Sequence, residues 1–90
     1  MIDQERLQDI LAEEEAITAD GFDDALVGFT CGANLVAVYD IHKMIEILMT
    51  SEGMEHNDAV EYLEYNVIDA YVGEKTPVYI NFVTEEVHND

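Results

Sequence analysis

The chain has 90 residues, 21 of them Asp or Glu and only three Lys or Arg, for a formal net charge of -18. Charge of this sign and size repels phosphate backbones and anionic lipid headgroups, which excludes direct binding to nucleic acid or to an acidic membrane surface. The length allows one domain, and 49% hydrophobic residues supply a core, which argues against a disordered chain.

Residues 3–17 read as an acidic N-terminal helix with Asp3 as its cap. Leu7, Ile10 and Leu11 form a narrow apolar stripe, so the helix is expected to pack at an edge or to reach toward a partner. Glu13, Glu14 and Glu15 follow as a run of like charge. ADGFDD, residues 19–24, is the first punctuation, with Gly21 as the expected helix stop.

ALVGFTC (25–31) and LVAVY (35–39) read as two strands joined by Gly32, Ala33 and Asn34, residues that tolerate positive φ and signal a hairpin. Both strands are almost continuously apolar, which implies either that both faces are covered or that the pair sits centrally in the sheet. Asp40 then suits the cap of a helix over 41–51, whose face of Ile41, Met44, Ile45 and Leu48 turns inward and which Gly53 ends. A second helix is expected over 57–71 with Val60, Leu63, Val67 and Ala70 inward. After the loop GEKTP (73–77), VYINFV (78–83) reads as the last strand, and TEEVHND (84–90) as a loose tail. The expected fold is therefore α+β: an N-terminal helix over 1–19, then a ββααβ core over 24–83. Its small three-stranded sheet is expected to be antiparallel, with the two consecutive helices on one face.

The chemistry-bearing residues are sparse. Cys31 is the single cysteine, which rules out an internal disulfide and a multi-cysteine zinc site; at a strand end it reads as half-buried core. A nucleophile role for it would need a histidine base, and no spacing selects one. His42, His56 and His88 stand in separate segments without metal-ligand spacing. Asp20, Asp23 and Asp24 near Gly21 lack the register of a calcium-binding loop, and no phosphate-cradling glycine motif occurs. No catalytic residue, metal or cofactor is expected. The acidic N-terminal stretch is unlike a signal peptide, and no apolar run approaches the roughly 18 residues a membrane span needs, so the expected location is the cytoplasm.

One face carries more information. On the helix over 57–71, Asp58, Glu61, Tyr62, Tyr65 and Asp69 cluster away from the apolar stripe at 100° per residue. Acids belong on a solvated face, but tyrosines there forgo burial. Tyrosine combines rigid area with a hydroxyl and is enriched at protein interfaces. Either a neighbouring helix covers these rings or the face docks a partner. Carboxylates at helical spacing lie about 5–6 Å apart, a scale comparable to the phosphates of a DNA strand. The expected partner-binding residues are therefore Asp58, Glu61, Tyr62, Tyr65 and Asp69, with Glu13, Glu14 and Glu15 as a second acidic patch. The expected partner is a basic protein, one that itself binds nucleic acid included. A homodimer through the aromatic face, and acidity serving only solubility or high salt, are the competing readings.

DALVGF (24–29), VYDIHKMIEILMTSEGM (38–54) and DAVEYLEYNVIDAYVGEKTPVYI (58–80) carry a resemblance. Over residues 24–80 the chain resembles a recurring type of small acidic protein encoded by bacteriophages. In that type a hairpin leads to a helix ending in Gly-Met, followed by an E-Y-x-E-[YF]-N helix, a V-G-E-x-T-P loop and a final strand. The resemblance implies a phage origin and carries no activity and no site residue. It adds the expectation of an inhibitor that blocks a basic or DNA-binding host protein, with a small oligomeric phage accessory protein as the alternative. One departure stands out: Glu55 occupies the helix-cap position after Gly53-Met54, where Ser or Thr would complete a capping box.

Overall fold

The computed structural model describes residues 3–70 and 72–83. The tail over 84–90 and Tyr71, the expected last residue of the second core helix, lie outside the described residues. In chain order the elements are helix α1 (Gln4–Glu13), a 3-10 turn (Asp23–Ala25), strands β1 (Leu26–Phe29) and β2 (Ala37–Asp40), helices α2 (Ile41–Ser51) and α3 (His56–Leu63), a π-helical turn (Glu64–Ile68) and strand β3 (Val78–Ile80). The α+β class and the ββααβ order are as the sequence indicates.

The sheet departs from expectation. Its order is β1-β2-β3; β1 and β2 pair antiparallel, but β2 and β3 pair in parallel, with Tyr39 opposite Tyr79. Parallel neighbours need a long crossover, and residues 41–77, with both helices, provide one. The sheet is therefore mixed. β2 lies between its neighbours, and its Ala37, Val38 and Tyr39 are all buried, which explains the unbroken apolar run.

Both flanking strands are shorter than the apolar runs that announced them. Val27 is the extra residue of a bulge between Leu26 and Gly28 and stands exposed. Past Phe29 the Thr30 hydroxyl accepts from the Val36 N–H (3.0 Å) and donates to the Asn34 carbonyl (3.1 Å), so a side chain closes the hairpin end. Cys31, expected half-buried, is exposed because the chain has already left the strand there.

The register puts Leu26, Ala37, Tyr39 and Tyr79 on one sheet face. These residues join one core with Met44, Ile45 and Leu48 of α2 and Ala59 and Leu63 of α3. Leu7 and Leu11 bring α1 into the same core, and the Gln4 side-chain amide donates to the Asp23 carbonyl at 2.8 Å. The Asp3 carboxylate caps α1 by accepting from the Arg6 N–H at 2.9 Å.

α1 stops at Glu13, short of the expected 17. Three glutamates at a helix C-terminus oppose the negative end of the helix dipole. The stop is made at Glu15 (φ 60°), not at Gly21. The Ala16 N–H donates to the Leu11 carbonyl (2.9 Å) and the Glu15 N–H to the Ala12 carbonyl (3.1 Å), the paired bonds of a Schellman cap. Glycine normally fills this left-handed position, and a side chain there costs about 1 kcal/mol. Glu15→Gly is therefore expected to raise the thermal midpoint by about 4–8 °C, measured by circular dichroism. An unchanged or lower midpoint would count against the strained cap.

α2 matches its expected span. Asp40 ends β2 and caps α2 in one step, its carboxylate accepting from the His42 N–H at 2.9 Å, and Gly53 (φ 69°) follows the helix. α3 begins less well: Glu55 is its N-cap, and its side chain makes no capping bond. Glu55→Ser would restore the cap, with Asp58 at the third helical position as its reciprocal partner. The expected gain is about 0.5–1 kcal/mol in urea unfolding, and a loss of stability would contradict it.

Candidate acidic-aromatic docking face

α3 and the π turn together position the face singled out in the sequence. Asp58, Glu61, Tyr62 and Tyr65 fall at i, i+3, i+4 and i+7, the spacing of one helical stripe. The four line a single open depression of about 450 Å³ with Met54 and Asn66. Both acids are exposed, Tyr62 is 40% exposed and Tyr65 is 77% exposed. α1 does not cover the rings; its buried residues Leu7 and Leu11 belong to the core on which α3 also packs.

Asp69 is not brought to this depression. From Glu64 to Ile68 the helix widens into a π turn, which carries fewer degrees per residue than the 100° assumed for an α-helix. The Asn66 side-chain amide donates to the Tyr62 carbonyl at 3.1 Å, taking the acceptor that residue 66's own N–H would use in an α-helix. The rotation also alters the inward stripe. Ala70, expected inside, is exposed, while Ile68 packs against the core. Single-turn π segments are frequent at functional sites, and this one contains Tyr65. Met54 is not legible in sequence, since nothing in the spacing joins the connection before α3 to its outer face; Asn66 stands four residues after Tyr62, at same-face helical spacing, and is the residue that signal could have added.

Glu13, Glu14 and Glu15 are exposed at the end of α1 and do not line the depression around Tyr62. They form a separate patch. Among the described residues, no three His, Cys, Asp or Glu side chains converge as metal ligands, and no helix is long and apolar enough to cross a membrane.

Comparison of the chain with protein-family models, with curated proteins and with solved structures finds no match in any of the three.

Proposed function

We propose that the chain is a non-enzymatic binding protein whose acidic-aromatic face occupies a basic surface of another protein, in the manner of a phage inhibitor acting in the host cytoplasm on a nucleic-acid-binding target. The observation that carries this reading is the exposure of Tyr65 and Tyr62 together with Asp58 and Glu61 in one depression. The carboxylates would accept charge-assisted hydrogen bonds from Arg and Lys, and the rings would supply rigid contact area. Self-pairing through the same face would bring Asp58 and Glu61 against their own copies in a chain of net charge -18, which disfavours the homodimer.

The test is affinity capture from bacterial lysate with the wild type and with Asp58→Lys/Glu61→Lys, each at low salt and at about 0.5 M salt, which screens exposed charges beyond a few ångströms. A basic protein retained by the wild type at low salt, released by salt and lost with the variant is the expected result. Retention by the variant would move the site elsewhere. Homodimerisation measured by light scattering, with no captured protein, would favour the accessory-protein reading.

A further inference from the structure

Beside the docking depression lies a second cavity of about 470 Å³, sharing Tyr62 and Met54 with it. Four parts of the chain build it: the loop before β1, the C-terminal end of α2, the connection that follows it and the outer face of α3. Its lining includes the buried Phe22 and Leu48, 7% and 5% exposed, and the more exposed Met54 and Tyr62. Asp20 and Glu52, both exposed, also line it.

We propose that this cavity takes a large apolar side chain from a Lys/Arg-rich segment of the partner, so that recognition combines an apolar anchor with charge. This rests on the reading of the acidic face and goes beyond it: a surface that only imitated a phosphate array would need no apolar recess. An anchor in a desolvated pocket ringed by polar contacts is the usual source of binding energy at an interface. Charge selects the occupant. Residues 84–90 hold Glu85, Glu86 and Asp90 with no Lys or Arg, and a second copy brings the same net charge of -18. A basic segment is attracted by Asp20, Glu52, Asp58 and Glu61, where these acidic occupants are repelled.

Two synthetic peptides of equal length and equal lysine content test this, one with Leu along one helical face and the other with Ser at the same positions. At physiological salt the Leu peptide is expected to bind the intact chain roughly tenfold tighter or more, the value of one buried aliphatic side chain. Its binding should shift the methyl resonances of Leu48 and Met54. Ser51→Phe, which fills the cavity from an exposed lining position, should remove the advantage of the Leu peptide. Equal affinity of the two peptides, binding of neither, or methyl shifts that avoid Leu48 and Met54 would each overturn the anchor. The acidic-face reading is judged separately, by capture with Asp58→Lys/Glu61→Lys.

Discussion

Leu11→Ala is expected to destabilise the protein by about 2–5 kcal/mol, as much as truncating a residue of the central core. Leu11 is 1% exposed and among the largest fully buried side chains, with Tyr39, Met44 and Leu63. It lies in α1, which reads in sequence as a thinly apolar addition to the ββααβ core. The structure makes it part of the same core, since Leu7 and Leu11 touch the cluster that α2 and α3 close. A domain of this size holds a folding free energy of about 5–15 kcal/mol, so the substitution removes a large share of it. Urea unfolding of Leu11→Ala and Leu63→Ala side by side measures this. A loss below about 1 kcal/mol for Leu11→Ala would mean that α1 detaches without cost to the rest.

The second large effect is expected at Tyr39. Its ring is fully buried and stacks on Tyr79 with centroids 6.0 Å apart, and its hydroxyl accepts from the Ala19 N–H at 2.8 Å. Tyr39→Phe keeps the ring and orphans that N–H, for an expected cost of roughly 1–2 kcal/mol. A pH dependence accompanies it. Burial pushes the Tyr39 hydroxyl above its ordinary value of 10.0; the Ala19 bond opposes that, and the nearby charges of Asp23 and Asp20 add to it. Tyr79 is raised by burial and then by Tyr39. A phenol with a raised folded pKa binds its proton more tightly in the native state. Its contribution is complete below the unfolded value of about 10 and is lost as pH rises through the folded value. The wild type should therefore weaken steeply above pH 10, and Tyr39→Phe should weaken less steeply, in denaturation series across that range. Identical alkaline slopes would remove Tyr39 from the account.

Where a local signal was complete, sequence was enough. α2 runs from 41 to 51 as expected because Asp40 caps it, a clean stripe buries it and Gly53 follows it. Strand lengths were overread because apolar runs continue past the point where Val27 bulges and Thr30 closes the hairpin. The parallel pairing of β2 and β3 is a property of where the crossover returns the chain, and no residue in VYINFV encodes it. The docking face was legible through α3 and into the first residues of the π turn, as far as Tyr65. Asp58, Glu61, Tyr62 and Tyr65 share the depression, while Asp69 lies beyond a π turn that no periodicity announces. The cavity beside Tyr62 was not legible, because the loop over 20–22 meets the stretch over 47–62 only in the folded chain.

The exposed Cys31 has a practical consequence. It is the single thiol in the sequence, it stands exposed in the loop joining β1 to β2, and it lines neither the depression around Tyr65 nor the cavity beside it. A maleimide dye would therefore attach at one defined position without mutagenesis, away from both binding surfaces. The native chain carries its own attachment point for fluorescence titration of whatever docks there.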